Sequence, residues 1–129
     1  IINVIEKGEN IGWPRAVGEV NQSEYVDPIV MWERPTPPAG LAFWQDDLYL
    51  ATLGSSALMR IDVRSQGDGY RIETIERLFA TDWYAGTYGR LRAAVVGPDG
   101  ALYVTTSNRD GRGDPRSGDD RILRITPAE

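Results

Sequence analysis

The chain has no cysteine and no histidine among its 129 residues. The first absence excludes disulfides and thiolate metal sites. The second removes the side chain that most often acts as a general base near neutral pH and as a transition-metal ligand. No apolar run approaches the roughly 20 residues that a membrane-spanning helix needs. Disulfide frameworks, thiolate metal centres and histidine-based catalysis are therefore excluded from the chain itself.

An excess of basic residues is also missing. The chain has 14 Lys and Arg against 19 Asp and Glu, which gives a net charge of −5 and a pI of about 4.7. Nucleic acids and anionic membranes require basic surfaces, so we expect neither as a partner. No signal peptide is visible, and the first residue is Ile1 rather than Met. We expect residues 1–6 to be a strand that continues from an earlier part of a longer protein.

Short apolar runs separated by turn residues dominate the middle of the chain. The pattern predicts strands at Leu41–Trp44, Leu48–Leu53, Ala57–Val63 and Tyr70–Ala80, joined by hairpin-sized loops. A four-stranded antiparallel meander of about forty residues is one blade of a β-propeller. The sequence therefore predicts an all-β fold of the propeller type.

The same pattern returns later in the chain, with a longer loop and without a fourth strand. We predict one partial propeller domain over residues 1–129, about two blades in extent. Residues 1–39 would be the end of a preceding blade and its connection. Residues 40–80 would be a complete blade, and residues 88–126 an incomplete last blade. Open strand edges promote pairing with other strands, so we expect the missing strand to come from elsewhere in the protein or from a second copy of the chain.

Two arginines, Arg90 and Arg92, open the first strand of the second unit. Residues two apart on a strand point to the same face, so their guanidinium groups should lie side by side. Such a pair can bind an anion, since arginine recognises carboxylates through two parallel hydrogen bonds. It can also be a pair of surface arginines bridged by nearby aspartates. The spacing by itself leaves both interpretations open.

Several segments resemble the glucose/sorbosone dehydrogenase family of quinoprotein aldose sugar dehydrogenases. They are Asn3–Pro14, which ends in Gly-Trp-Pro, then Pro38–Phe43, then Gly89–Arg92 and Gly97–Gly111. The resemblance implies a six-bladed propeller about three times this length, of which this chain is the C-terminal part. It implies oxidation of an aldose sugar at C1 with pyrroloquinoline quinone (PQQ), in the presence of calcium, in the periplasm or outside the cell. The positions of Arg90 and Arg92 match the family's pair that binds the carboxylates of the cofactor.

Three positions depart from the pattern of that family. A lysine that contacts the quinone is replaced by Gly54. Two calcium-ligand positions correspond to Ile1 and Ile11, whose side chains cannot bind calcium. The family's catalytic histidine belongs to an earlier blade. We therefore predict no catalytic residue and no metal ligand in this chain, and we expect the chain alone to be inactive.

The loop from Ser107 to Arg121 contains four aspartates and four arginines, of which Arg121 is the last residue. Its spacing does not fit a calcium-binding EF-hand, and the interleaved charges predict a loop that pairs with itself. The loop is expected to lie beside the arginine strand, where it could form the rim of a substrate pocket. Among the tryptophans we expect Trp13 and Trp44 in the core, and we expect Trp83, with its neighbours Tyr84 and Tyr88, to be the best candidate for a pocket wall.

These observations predict the C-terminal part of a PQQ-dependent sugar dehydrogenase. The alternative is a propeller without enzymatic activity that binds a protein or a glycan, which the replaced ligand positions favour.

Overall fold

The computed structural model describes residues 1–128, and all of its regular structure is β. These residues form no helix, and therefore none with the length and apolar character of a membrane span. The strands are β1 (Pro38–Trp44), β2 (Asp47–Thr52), β3 (Leu58–Gln66), β4 (Gly69–Leu78), β5 (Ala80–Asp82), β6 (Ala85–Gly86), β7 (Leu91–Val96), β8 (Leu102–Thr106) and β9 (Ile122–Ile125).

The first sheet contains the strands in the order β1-β2-β3-β4. Its first hairpin turns tightly through Gln45 and Asp46, with φ angles of 51° and 66°. Two consecutive left-handed residues give a turn whose twist matches that of antiparallel strands, so Trp44 lies opposite Asp47. Residues 47–52 are mostly buried because β2 lies inside the sheet. A meander of four antiparallel strands results, as the turn pattern predicted.

The second sheet contains three antiparallel strands in the order β7-β8-β9. The register between β7 and β8 shifts, because Leu91 faces Thr106 while Ala94 faces Val104. Two residues of β7 thus lie opposite the single residue Thr105, and this arrangement is a β-bulge. The hydroxyl of Thr105 accepts a hydrogen bond from the N–H of Ala93 at 3.1 Å. The bulge lies beside the arginine pair, at the beginning of β7.

The core lies between these two sheets, where apolar residues of β1–β3 meet those of β7 and β8. Leu58, Leu91 and Leu102 have no exposed surface. The strands β1 and β7 approach so closely at Gly40 that a Cβ atom there would lie 2.7 Å from the backbone of residues 92 and 94. Two consecutive antiparallel meanders packed face to face are characteristic of neighbouring propeller blades. The predicted all-β propeller fragment of about two blades is confirmed.

The chain divides into two compact units. One comprises residues 1–34 and 64–72, and the other comprises residues 35–63 and 73–129. In the first unit, Ile2 makes a single antiparallel bridge to Val30. The prediction of a strand over residues 1–6 is therefore wrong, because these residues have no strand partner beyond that bridge among residues 1–128.

Two further predictions from the sequence are wrong. Trp13 is 76% exposed, whereas Trp44 is 7% exposed and lies in the core as expected. The strand predicted over residues 70–80 ends at Leu78, because Phe79 has a φ of 63°, which strand geometry does not permit. The chain then forms a small hairpin from β5 and β6 that the sequence pattern did not indicate.

Candidate functional site

The two arginines meet at a single carboxylate. Arg90 precedes β7 and Arg92 lies within it. Both donate to Oδ2 of Asp110, Arg90 from Nη2 at 2.9 Å and Arg92 from Nη2 at 3.0 Å. The prediction that the two guanidinium groups lie on one side is confirmed. The cluster of two cations and one anion keeps a net charge of +1.

The position of Asp110 is fixed by its own loop as well as by the arginines. Its Oδ1 accepts the backbone N–H of Arg112 at 2.9 Å, and its Oδ2 accepts the hydroxyl of Ser107 at 3.1 Å. The pKa of Asp110 is lowered far below its usual value by the Arg112 N–H, then by the hydrogen bond from Arg90, with Ser107 and the charge of Arg90 adding to the effect. The carboxylate is therefore ionised at neutral pH.

Asn108 holds the beginning of the loop in place. Its side chain is 2% exposed, and its Oδ1 accepts the backbone N–H of Arg90 at 2.9 Å. Its Nδ2 donates to the carbonyl of Tyr88 at 2.9 Å and to Oδ2 of Asp119 at 3.0 Å. The backbone N–H of Asn108 donates to Asp120 at 2.6 Å. The loop is therefore bonded to the segment that carries the arginines.

The far part of the loop is bonded to the small hairpin. Arg116 donates from Nη2 to the carbonyl of Gly86 at 2.9 Å and from Nη1 to the carbonyl of Thr87. Its backbone N–H donates to Asp119 at 2.8 Å, and this bond is the main cause of the lowered pKa of Asp119. The loop pairs with itself, as predicted. It also makes hydrogen bonds to β6 and to the segment that leads into β7.

An open cavity of about 200 Å³ lies between the loop, the small hairpin and the turn after β2. Arg90, Arg112 and Arg116 contribute three positive charges to its wall, and Asp114 contributes one negative charge. The loop thus forms a rim of a pocket, as expected. The lining residues are Gly54, Ser56, Tyr84, Ala85, Gly86, Gly89, Arg90, Asn108, Arg112, Gly113, Asp114 and Arg116.

The aromatic residues near this cavity have different positions from those predicted. Trp83 is not among the lining residues, and its ring lies under the guanidinium group of Arg77 at 4.4 Å. Tyr88 packs edge-on against Phe79 with ring centroids 5.1 Å apart, next to the core. Tyr84, which is 57% exposed, is the aromatic side chain that lines the cavity. Of the predicted aromatic group, Tyr84 therefore forms a wall of this cavity and Trp83 does not.

The positions that differ from the resembled family occur in separate units. Gly54 belongs to the second unit and lines the cavity, so the position at which the resemblance implies a lysine faces the same space as Arg90. Ile1 and Ile11 belong to the first unit and are 49% and 48% exposed. Within residues 1–128, no three acidic side chains are grouped as metal ligands.

The sequence identified the arginine pair but not its partner. Four aspartates occur in the loop, and nothing in their spacing distinguishes Asp110 from Asp114. A local signal could have identified Asp110. An aspartate often accepts the backbone N–H of the residue two positions later in a tight turn, as Asp110 does from Arg112, and Ser107 lies three residues before Asp110. Asn108 and Arg116 gave no signal, because their partners are 18 to 30 residues away in sequence.

Comparisons with known proteins bear on this site. The sequence model of the family described as "Glucose / Sorbosone dehydrogenase" matches residues 1–124. The aldose sugar dehydrogenase YliI of Escherichia coli (strain K12) is 26% identical over 147 residues, covering 98% of this chain and 35% of that protein.

Solved structures of similar proteins also cover this chain. A glucose dehydrogenase-type oxidoreductase of Thermus thermophilus is 48% identical, with a TM-score of 0.85 over 95% of this chain and 36% of the other. The PQQ-bound form of the aldose sugar dehydrogenase of Streptomyces coelicolor is 35% identical, with a TM-score of 0.78 over 95% of this chain and 34% of the other. The chain thus spans about a third of the length of these relatives.

Proposed function

This chain belongs to the glucose/sorbosone dehydrogenase family, and on that premise we propose that it forms part of an enzyme that oxidises aldose sugars at C1 with PQQ. The observation that carries the proposal is the convergence of Arg90 and Arg92 on one carboxylate oxygen. A relative that is 35% identical has been solved with PQQ bound, which supports PQQ as the ligand.

The arginine pair suits the chemistry of this cofactor. PQQ is an anionic quinone with carboxylate groups, and bidentate arginine–carboxylate contacts are among the strongest that a protein makes. The pair already binds a carboxylate of the chain itself, so its donors are arranged for that group. The cavity beside Arg90 carries further positive charge from Arg112 and Arg116. These residues fit the carboxylate part of PQQ.

In this proposal Arg90 and Arg92 hold the carboxylates of the cofactor, and PQQ when bound supplies the oxidising chemistry. The fixed positive charge of the two guanidinium groups would favour an anionic ligand without further rearrangement. The chain has no histidine, and we propose that the catalytic base and the remaining walls of the site lie outside residues 1–129. The 129-residue chain alone would then be inactive.

Calcium does not fit the two positions that resemble the family's ligands. Ile1 and Ile11 offer only apolar side chains, while calcium binds oxygen ligands. If the enzyme uses calcium, the ion would be held by other residues. We propose the periplasm or the extracellular space as the location, because the family resemblance implies it.

Quinone binding tests the function directly. In the protein that carries this chain at its full length, we expect R90Q and R92Q each to weaken PQQ binding by at least about tenfold, since a hydrogen bond to a charged group contributes roughly 1.5–3 kcal/mol. Titration followed by tryptophan fluorescence would measure the affinity. The matched control is R15Q, which removes the same charge from an exposed residue of the other unit. Equal PQQ affinity in all three variants would refute the assignment of the arginine pair.

The competing function is a propeller that binds a protein or a glycan without catalysis. Two observations favour it: Asp110 already neutralises part of the charge of the arginine pair, and Gly54 stands where the family has a lysine. Aldose-dependent reduction of a dye by the full-length protein, supplied with PQQ and calcium, separates the two. Turnover supports the dehydrogenase, and absence of both turnover and PQQ binding supports the binding module.

A further inference from the structure

We propose that Asp110 is a positioning residue that holds Arg90 and Arg92 ready for the carboxylate of a ligand. The proposal rests on the proposed function, and it deepens that function by assigning a role to a residue of the loop. Asp110 would not contact the ligand itself. It would act through the two arginines, by fixing which edge of each guanidinium group is free.

The contacts divide each guanidinium group into a used edge and a free edge. Arg90 points its Nε and Nη2 at the carbonyl of Ser107 and at Asp110, at distances of 2.9–3.3 Å. Arg92 does the same with the hydroxyl of Ser107 and with Asp110, at 2.9 and 3.0 Å. In both residues, Nη1 makes no hydrogen bond within residues 1–128. Two free donor groups on one side of a strand are the arrangement that a second carboxylate requires.

Asp110 is held by more than the two arginines. Asp110 is held by the N–H of Arg112 and the hydroxyl of Ser107, which belong to its own loop. A carboxylate that merely filled an anion site in place of a ligand would need only the arginines as partners. A carboxylate fixed by its own turn instead restricts the side chains of Arg90 and Arg92 before the ligand arrives. Less rotamer entropy is then lost when the ligand binds.

The stem of Arg90 is restricted by the same loop. A Cβ atom at Gly113 would lie 2.9 Å from Cδ of Arg90, so the loop backbone lies directly against this side chain. The side chain of Arg90 is 14% exposed, while that of Arg92 is 51% exposed. Loop and carboxylate together therefore determine the orientation of Arg90, while Arg92 is held by the carboxylate and by the hydroxyl of Ser107.

The test is whether D110N binds PQQ more tightly or more weakly than the wild type. Coulomb attraction alone predicts that D110N binds the anionic PQQ more tightly, since a negative charge is removed. Loss of positioning predicts the opposite, and we expect D110N in the full-length protein to weaken PQQ binding about tenfold or more. The matched control is D114N, which removes the same charge from an exposed residue of the same loop that lines the same cavity. D114N should bind PQQ more tightly than the wild type, because it removes a negative charge from the cavity wall and leaves the bonds of Arg90 and Arg92 in place.

A second variant keeps the proposal testable if D110N does not fold. S107A removes the hydroxyl that bonds to both Arg92 and Asp110 without a change in charge, and it should also weaken PQQ binding. Thermal unfolding would show that each variant is folded. PQQ binding by D110N that is unchanged or tighter than that of the wild type overturns the proposal.

A spectroscopic measurement without the quinone separates this proposal from the function on which it rests. The Nε–H resonances of Arg90 and Arg92, assigned from the spectra of R90K and R92K, should be distinct and slow to exchange in the wild type and in D114N. They should become averaged in D110N. Failure of the wild type to bind PQQ would refute the proposed cofactor, while retained resonances in D110N would refute the role of Asp110.

Discussion

At the scale of single residues, two aspartates follow the same rule. Asp99 and Asp110 each accept the backbone N–H two residues further along the chain, and each also accepts an arginine from a strand. The short turn holds the carboxylate, and the carboxylate holds the longer side chain. Asp99 in this way connects the turn before β8 to Arg124 of β9, with an Nε to Oδ2 distance of 2.8 Å. Local turn chemistry therefore determines contacts between distant strands.

The pH dependence of stability tests this arrangement at Asp99. The hydrogen bond from Arg124, followed by those from the Ala101 N–H and the Tyr103 hydroxyl, lowers the pKa of Asp99 to about 2. A lowered pKa means that the folded state favours the ionised carboxylate, so this contribution is present above about pH 4 and is lost as the pH falls toward 2. D99N should therefore unfold more easily than the wild type at pH 6, and the difference should diminish between pH 4 and pH 2.

Urea unfolding at pH 6, 4 and 2.5 would measure this difference. The control is D46N, because Asp46 occupies an exposed turn position with a positive φ that asparagine also adopts readily. A constant difference between D99N and the wild type across this range would contradict the assignment.

At the scale of strands, the arginine pair depends on the contact between β1 and β7. Gly40 of β1 lies against the backbone of residues 92–94, which contain the β-bulge. The bulge places Leu91 and Ala94 in the core, with 0% and 5% exposure, while the side chain of Arg92 is half exposed. The packing of one blade on the next thus determines the position of one of the two arginines.

A methyl group at Gly40 tests this contact. In G40A the Cβ would approach backbone atoms to 2.7–2.8 Å, so the strands must separate. We expect a loss of stability of about 1–3 kcal/mol, as for other overpacked sites. The control is G69A in β4, where the nearest atom to an added Cβ is 3.8 Å away and the expected change is close to zero. Equal unfolding free energies for the two variants would show that β1 and β7 can separate without cost.

At the scale of the whole molecule, large apolar side chains remain exposed on the strands. Phe43 of β1 is 63% exposed, Val95 of β7 is 59% exposed and Ile122 of β9 is 72% exposed. Exposed apolar surface and open strand edges favour association with further strands or blades. The chain spans about a third of the length of its relatives. That it associates with the remaining blades or with a second copy of itself stays a prediction.

Sedimentation of the isolated 129-residue chain tests this expectation. We expect dimers or larger species, and we expect F43E to shift the distribution toward the monomer because it places a charge on the exposed face of β1. V17E is the matched control, since Val17 is 69% exposed but lies in the other compact unit. A wild-type chain that remains monomeric at high concentration would contradict the prediction.

The sequence by itself determined the strands of both sheets and the common direction of Arg90 and Arg92. Alternation, turn residues and the spacing of i and i+2 are local properties, so they can be recognised without knowledge of the fold. The break at Phe79, the hairpin of β5 and β6 and the exposure of Trp13 were not recognisable, because each depends on packing against residues far away in sequence.

Only the tertiary structure decided which anion the arginines meet. Asp110 and Asp114 lie in the same loop, and the bonds of Asn108 and Arg116 to residues 86–90 place that loop so that Asp110 is the one that reaches the pair. The physical reason is that charge and spacing give a side chain its capacity to bind, whereas long-range hydrogen bonds and packing select its partner.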